Sequence, residues 1–132
     1  MQKYYLDTSI LLDAYENRNE VILQKLILKL IEEKCIILLS DLHIKELKSL
    51  GYDFDEINSI FRIFKIFDIK RIHITKTQIE ESNQLALQID IPKKDILHAI
   101  IAKDNEAILI AADRHFEKLN KIIGVKKPHE LL

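Results

Sequence analysis

The sequence predicts an α/β fold with three layers, in which helices cover both faces of a central parallel sheet of about four or five strands. Three short β-prone runs alternate with longer segments whose apolar residues recur at helical spacing. Continuous apolar runs are typical of strands covered on both faces, which is the environment of a parallel sheet. Hydrophobic residues make up 48% of the chain, and 2 glycines with 2 prolines exclude a repetitive or loop-dominated protein.

In the first half of the chain, a β-prone run leads through two helices to a buried strand and a third helix. Asp7 ends the first run and Ser40 ends the buried strand, and both residue types stop strands and cap helices. The predicted elements are a strand over 3–6, helices over about 10–15 and 20–33, a strand over 35–39 and a helix over about 41–50.

In the second half, Gly51 ends the third helix, and a stripe of phenylalanine and isoleucine residues follows. Thr75 and Pro92 are residue types that begin helices, and Asp113 is expected to cap a further one. The predicted elements are a helix over 54–67 with Phe54 as its first core residue, an edge strand or connector over 71–74, helices over about 75–89 and 92–105, a strand over 107–111, a helix after Asp113 and a last strand within 121–125.

The charge balance excludes a protein that binds nucleic acid through an overall cationic field, because 20 basic and 21 acidic residues leave a net charge of −1. Any contact with nucleic acid therefore depends on a local basic patch. Cys35 is the single cysteine, which excludes a disulfide framework and a cysteine-based zinc site. Neither a signal peptide nor an apolar run of membrane-spanning length is evident. We therefore expect a single domain over residues 1–132, located in the cytoplasm and not in a membrane.

Polar side chains follow the predicted strands at their carboxyl ends, where open parallel sheets carry their functional crevice. Asp7, Ser40 and Asp113 come after the three strands in turn. Two interpretations stay open for the aspartates, since either carboxylate can simply cap the helix that follows it. Together they bring two carboxylates and a hydroxyl to one edge of the sheet.

Two further carboxylates lie on helices that begin at the same edge. Glu46 falls within the apolar stripe of its helix, where a carboxylate loses hydration and needs a cation or hydrogen-bond donors. Lys45 and Lys48 are the alternative partners that would make Glu46 a purely structural residue. Asp95 lies in the first turn after Pro92, where its charge also suits the helix dipole.

Four carboxylates at one edge repel one another unless a divalent cation neutralises them. A site that offers only oxygen ligands suits Mg²⁺ or Mn²⁺, ions that keep several water molecules and bind substrate phosphates. Metal-assisted phosphodiester hydrolysis is the chemistry that follows, with a hydroxide nucleophile and a stabilised leaving oxygen. The 5 histidines show no metal-ligand spacing, so surface or core-edge positions are expected for them, including His98.

Four short segments share an order and a spacing that together cover almost the whole chain. They are residues 5–11, Ser40 followed by Glu46 and Leu47, residues 91–99 and residues 108–116. In this combination the sequence resembles a PIN domain, and in particular the short stand-alone kind typified by VapC toxins.

The resemblance implies an endoribonuclease that depends on Mg²⁺ or Mn²⁺ and acts on single-stranded or structured RNA. Relatives of this kind are often homodimers, and the toxins among them are held inactive by a small antitoxin protein. The residues that match the acidic metal-binding and catalytic set are Asp7, Glu46, Asp95 and Asp113, with a hydroxyl of Thr8 or Ser9 supporting Asp7.

One position departs from the pattern of the resembling family. Many relatives carry threonine or serine two residues before the fourth acidic position, where this chain has Ala111. The lost hydroxyl is expected to lower metal affinity or rate, with Thr8, Ser9 and Ser40 as supporting hydroxyls that compensate in part. The four carboxylates are all present, which argues against an inactive enzyme.

Basic residues flank the acidic positions and are expected to position RNA by contacting its phosphates. A merely solvated surface is the alternative for these side chains, since lysine is usually exposed. The flanking basic residues are Lys45, Lys48, Lys93, Lys94 and Arg114.

The apolar stripe over 54–67 is wider than one helix face requires, because Ile63 and Ile66 add to its phenylalanines. We expect most of the stripe to lie in the core. Part of it is expected to form a surface for a second copy of the chain or for an antitoxin.

Three functions are compared on this basis. A metal-dependent ribonuclease, the toxin of a type II toxin–antitoxin pair, agrees with all four carboxylates. A PIN-like RNA- or protein-binding module with little or no catalysis is the alternative, and Ala111 is the feature that supports it. A phosphoacceptor receiver domain is unlike this chain, since Asp7 has no acidic neighbour and no lysine follows residues 107–111.

Overall fold

A computed structural model describes residues 1–112, 114–120, 125–126 and 128–131 of the chain. Within these residues the strands are β1 (Lys3–Leu6), β2 (Ile36–Ser40), β3 (Asp68–Ile72), β4 (Ile108–Ile110) and β5 (Val125–Lys126). They pair side by side in the order β3-β2-β1-β4-β5, and every pairing is parallel. The predicted parallel sheet is therefore confirmed.

Helices connect these strands and cover both faces of the sheet. The α-helices of the described residues are α1 (Thr8–Tyr15), α2 (Glu20–Glu33), α3 (Asp41–Ser49), α4 (Phe54–Arg62), α5 (Lys76–Ala86) and α6 (Lys93–Asp104), and short 3₁₀ helices cover Arg114–Leu119 and Pro128–Leu131. Among the described helices, none has the length and hydropathy that a membrane crossing requires.

The sheet separates two apolar cores because successive side chains of a strand point to opposite faces. Tyr5 of β1 packs with Leu38 and Leu109 in one core, together with the buried side chains of α6. Tyr4 and Leu6 belong to the other core, which is closed by residues of α1, α2 and α4. Helices, sheet and helices thus form the three predicted layers.

The register of the sheet determines where its carboxyl edge lies. Leu6 of β1 pairs with Ile110 of β4, and Ser40 of β2 pairs with Ile72 of β3. The backbone N–H of Asp7 donates to the carbonyl of Ile110 at 2.9 Å, which extends the β1–β4 pairing by one bond. Asp7 and Ser40 are therefore brought to the same edge.

Helix α6 is buried along most of its length. Every residue from Ile96 to Ala102 is buried, on all sides of the helix. A helix that is apolar all round lies inside the protein rather than on its surface. α6 begins next to the carboxyl edge of the sheet and is packed against α5 and β4.

The helix predicted over 54–67 is shorter in the structure. α4 ends at Arg62, and turns carry the chain through Phe64 and Phe67, whose side chains are buried as predicted. Phe54 is 72% exposed, so its prediction as a core residue was wrong. The reason is local, because Asp53 caps α4 and leaves Phe54 at the first helical position, away from the buried face.

Three other predicted boundaries differ. β3 is an edge strand that starts at Asp68, earlier than the predicted 71–74, and α5 ends at Ala86 rather than near residue 89. The helix after residue 113 is a 3₁₀ helix. Asp113, and residues 121–124 of the predicted last strand, lie outside the described residues, while Val125 begins β5.

Candidate functional site

Asp7 lies at the centre of the carboxyl edge, directly after β1. Its side chain is 6% exposed, and its Oδ2 accepts a hydrogen bond from Oγ of Ser9 at 2.7 Å. Burial raises the pKa of the Asp7 carboxyl, and the nearby Glu46 raises it further, while His98 and the Ser9 hydrogen bond act in the opposite direction. Although Asp7 holds the N-cap position of α1, its side chain makes no capping hydrogen bond. Capping of α1 therefore does not account for this buried carboxylate.

Glu46 approaches the same edge from α3. Its side chain is 17% exposed, and Oε1 accepts a short hydrogen bond from Nε2 of the fully buried His98. In the described part of the chain the hydrogen-bond partner of Glu46 is thus His98, and the alternative pairing with Lys45 or Lys48 is not found. The expectation that Glu46 needs a donor was sound, but the donor is an imidazole from α6.

His98 belongs to a group of buried polar side chains beneath the carboxylates. Its Nδ1 lies 2.5 Å from the Tyr5 hydroxyl, and its Nε2 lies 3.3 Å from Oγ1 of Thr8. The Tyr5 hydroxyl also lies 2.8 Å from Oγ of Ser40. Thr8 and Ser40, both predicted as supporting residues, therefore contact this buried group, whereas Ser9 contacts Asp7 itself.

His43 completes the group from the first turn of α3. Its Nδ1 accepts from the backbone N–H of Ser40 at 3.0 Å, and its Nε2 donates to the carbonyl of Leu6 at 2.6 Å. The ring stacks on Tyr5 with 4.8 Å between centroids. Burial lowers the pKa of His43 well below its usual value, so the ring is neutral.

The roles of Tyr5, His43 and His98 were not predicted from the sequence. One signal was present for His98, which is the single polar residue in the run 96–102 of an otherwise apolar helix. A polar side chain in such a run is buried, and a buried polar group needs hydrogen-bond partners. That signal predicts that a partner exists, but only the fold shows which one.

Asp95 lies in the first turn of α6 and is half-buried. It precedes His98 by three residues, a spacing that places two side chains on neighbouring positions of one helix face. Since His98 contacts Glu46, Asp95 lies on the side of α6 that faces the carboxyl edge.

The fourth predicted acid, Asp113, lies outside the described residues, and so does the side chain of Arg114. Ala111 is buried just before them, and its N–H donates to the carbonyl of Lys126 at 2.9 Å. Among the residues that the structure describes, no three histidine, cysteine, aspartate or glutamate side chains are grouped as a metal site. A complete four-carboxylate centre thus stays a prediction.

The predicted basic residues of the described chain are exposed near this edge. Lys45 and Lys48 lie on the outer side of α3, and Lys93 and Lys94 begin α6. A surface depression of about 520 Å³ lies between these helices; it is lined by Leu42, Lys45, Ile74, Ile79, Pro92, Lys93, Lys94 and Leu97. Three positive charges therefore surround an apolar floor beside the acidic edge.

No protein-family model and no curated protein matches this sequence. Solved structures do resemble it over almost the whole chain. The structure of VapBC2 from Rickettsia felis bound to a promoter DNA fragment has a TM-score of 0.71 at 20% identity, covering 96% of this chain and 98% of that chain. VapBC-1 from nontypeable Haemophilus influenzae has a TM-score of 0.69 at 16% identity, covering 97% and 99% of the respective chains. A toxin–antitoxin complex from Klebsiella pneumoniae has a TM-score of 0.64 at 20% identity, covering 95% and 97%.

These similarities concern the fold. Identities of 20% or less with nearly complete coverage of both chains show that this protein shares the architecture of chains found in toxin–antitoxin complexes. The PIN-like, three-layered fold that the sequence motifs predicted is therefore confirmed.

Proposed function

We propose that this chain is a Mg²⁺- or Mn²⁺-dependent endoribonuclease that hydrolyses RNA phosphodiester bonds. The observation that carries the proposal is the buried carboxylate of Asp7, whose pKa is raised by burial and by Glu46 at the carboxyl edge of a parallel sheet. A carboxylate buried beside a second one needs positive charge or hydrogen-bond donors nearby if it is to stay ionised. A divalent cation supplies that charge and suits phosphodiester chemistry.

The chemistry of the assigned residues suits such an ion. Asp7, Glu46 and Asp95 offer carboxylate oxygens, the ligands that Mg²⁺ and Mn²⁺ prefer over nitrogen or sulfur. We assign these three residues, together with Asp113, as the metal-binding and catalytic set. The chemistry supplied by a bound divalent ion is activation of water as the nucleophile and stabilisation of negative charge on the leaving oxygen.

The protein's own groups orient the carboxylates. Ser9 donates to Oδ2 of Asp7, which restricts the orientation of this carboxylate. Thr8 and Ser40 act one step further back, through their contacts with His98 and Tyr5. The apolar cores on both sides of the sheet exclude bulk water from this layer, which strengthens the electrostatic interactions of the site.

Binding of RNA is assigned to the basic residues beside the acidic edge. Lys45, Lys93 and Lys94 surround the depression between α3 and α6, and Lys48 extends the positive surface along α3. Arg114 is proposed for the same role from its place in the sequence. Phosphate contacts of this kind position a nucleic acid without reading its bases.

We further propose that the protein acts as a cytoplasmic single-domain toxin held inactive by a small antitoxin, and that it forms a homodimer. Support comes from the fold, which is shared with chains of toxin–antitoxin complexes. The stripe over 54–67 also leaves Phe54 and Ile66 largely exposed, as a partner surface requires. Light scattering of the purified chain at micromolar concentration tests the dimer, and a monomer with no co-purifying partner contradicts it.

The alternative function is a PIN-like RNA- or protein-binding module with weak or no cleavage. Ala111 favours it, because this buried position offers no hydroxyl to the site. Binding of Mn²⁺ and RNA without any cleavage would support this alternative.

The proposed activity is tested by incubating a labelled RNA pool with wild type and Asp7→Asn in Mn²⁺, Mg²⁺ or EDTA. Asp13→Asn is the matched control, because Asp13 lies on the same helix but pairs with Arg18. All three proteins are purified identically and checked for folding by circular dichroism. We expect metal-dependent cleavage by wild type and Asp13→Asn only. Equal, metal-independent cleavage by all three indicates a contaminating ribonuclease and contradicts the carboxylate site.

A further inference from the structure

A continuous chain of hydrogen bonds leads from the interior of the sheet to Glu46. Ser40 at the end of β2 contacts Tyr5 of β1, Tyr5 contacts His98 of α6, and His98 contacts Glu46 of α3. Ser40, Tyr5 and His98 are all fully buried, and Glu46 is the one member that reaches solvent. Four separate elements of the fold therefore meet in one chain that ends on a carboxylate.

The chemistry of the groups sets the direction of these hydrogen bonds. An ionised carboxylate only accepts, so Nε2 of His98 carries the hydrogen that Glu46 receives. With Nε2 as the donor to Glu46, we take Nδ1 as the acceptor of the Tyr5 hydroxyl, which lies 2.5 Å away. The Tyr5 oxygen is left to accept from Oγ of Ser40 at 2.8 Å. Tyr5 thus holds the His98 ring in the orientation that serves Glu46.

Two further contacts restrict the movement of the side chains in this series of hydrogen bonds. Oγ1 of Thr8 lies 3.3 Å from Nε2 of His98, and the backbone N–H of Ser40 is bound by His43. Among the described residues, every buried side-chain nitrogen and oxygen has a hydrogen-bond partner. Because His98 binds Oε1 of Glu46, it restricts the orientation of the whole carboxylate.

We propose that His98 is a positioning residue that holds the Glu46 carboxylate at the acidic edge, with Tyr5 setting the orientation of its ring. The inference rests on the proposed function, because it assigns Glu46 to the metal-binding set. Hydrogen-bond partners that orient a ligand residue change metal affinity or activity by about 10- to 100-fold when removed. His98 is expected to act at this level without touching RNA.

The test compares His98→Leu, which fills similar volume without a donor, with His98→Gln, whose amide nitrogen can reach the place of Nε2. Mn²⁺ affinity is measured by calorimetry on the intact chain, and kcat and KM are measured on labelled RNA. Asp7→Asn and wild type are measured in parallel. Leu26→Ala, in the opposite core, controls for loss of stability alone.

We expect His98→Leu to weaken Mn²⁺ binding by about 10- to 100-fold and to lower kcat with little change in KM. His98→Gln should stay within about threefold of wild type, a rescue that general destabilisation does not produce. Wild-type Mn²⁺ binding in His98→Leu, or an equal loss in both variants, overturns the inference while the proposed function stands. If wild type neither binds Mn²⁺ nor cleaves RNA, the proposed function and this inference both fail.

A second variant covers the case in which His98→Leu does not fold. Tyr5→Phe removes only the hydroxyl that orients the His98 ring and leaves Glu46 untouched. It should weaken Mn²⁺ binding by a smaller factor, about three- to tenfold. Tyr4→Phe, the same change at the neighbouring position on the opposite face, should bind Mn²⁺ as wild type does. Equal affinities in the two variants contradict the role of Tyr5.

Discussion

Replacing Tyr5 by phenylalanine removes one oxygen atom from the centre of the protein. The side chain is fully buried, and its hydroxyl serves both Nδ1 of His98 and Oγ of Ser40. The aromatic ring stays, so its stacking on His43 and its packing against Leu38 are preserved. The variant therefore isolates the contribution of the hydrogen bonds from that of apolar packing.

The expected loss of stability in Tyr5→Phe depends on which hydrogen-bond partners of the Tyr5 hydroxyl are left unsatisfied. Ser40 keeps a second contact, since its Oγ lies 3.4 Å from Nδ1 of His43. Nδ1 of His98 has no such substitute, and a buried group left without its partner costs about 1–3 kcal/mol. With an unfolding entropy of about 2.1 cal/mol/K per residue, a chain of 132 residues loses about 7 °C in Tm for every 2 kcal/mol.

Tyr4→Phe is the matched control for this measurement. The Tyr4 hydroxyl donates to Glu33 at the surface end of α2, where water can take over the bond. Its removal is expected to cost less than about 1 kcal/mol, or less than about 4 °C in Tm. Differential scanning calorimetry at neutral pH with EDTA measures both variants. Equal shifts in Tm, or a Tyr5→Phe shift below about 2 °C, would refute the importance assigned to the buried hydrogen bonds of Tyr5.

Three other outcomes are expected. Burial raises the Asp7 pKa, so the stability that this group contributes is present at low pH and is lost as pH rises through its folded pKa. Asp7→Asn should therefore raise Tm by a few degrees at neutral pH in EDTA. Added Mn²⁺ should raise the Tm of wild type but not that of Asp7→Asn. Burial lowers the His43 pKa, so stability should fall as pH drops below about 6.5, with a slope of up to about 1.4 kcal/mol per pH unit that urea titrations detect and His43→Gln removes. Alanine at Lys45, Lys93 or Lys94 should each reduce the slope of log affinity for RNA against log salt by about 0.7 in anisotropy titrations, while replacing a lysine of α2 should not.

Much of the fold could be predicted because its signals are local. The bounds of α2 agree with the predicted 20–33, since its N-terminal and C-terminal limits coincide with the ends of the apolar periodicity. β2 was found from a continuous apolar run, and the placement of Asp7 and Ser40 at one edge follows from the parallel arrangement. These inferences need no knowledge of which distant residues meet.

The site could be predicted only in part, because the buried polar residues that support its carboxylates meet through long-range contacts. Glu46 was expected to need a donor, but His98 is 52 positions further along the chain and Tyr5 is 93 positions before His98. The neighbouring lysines were the local alternative, but in the fold Glu46 contacts the buried ring of His98 instead. Phe54 was misplaced for the opposite reason, since a capping interaction of Asp53 with its own helix decided its exposure.

The burial of α6 has a consequence for how the site moves. Residues 96–102 are enclosed on all sides, so the amide of His98 cannot meet solvent through the fraying of a surface helix. Hydrogen exchange at such amides is limited by the cooperative opening of the whole fold. The inner support of Glu46 is therefore expected to persist for as long as the protein stays folded, whereas the exposed lysine side chains of α3 are free to change rotamer. Any adjustment to a substrate or an inhibitor is therefore expected in the exposed side chains around the site.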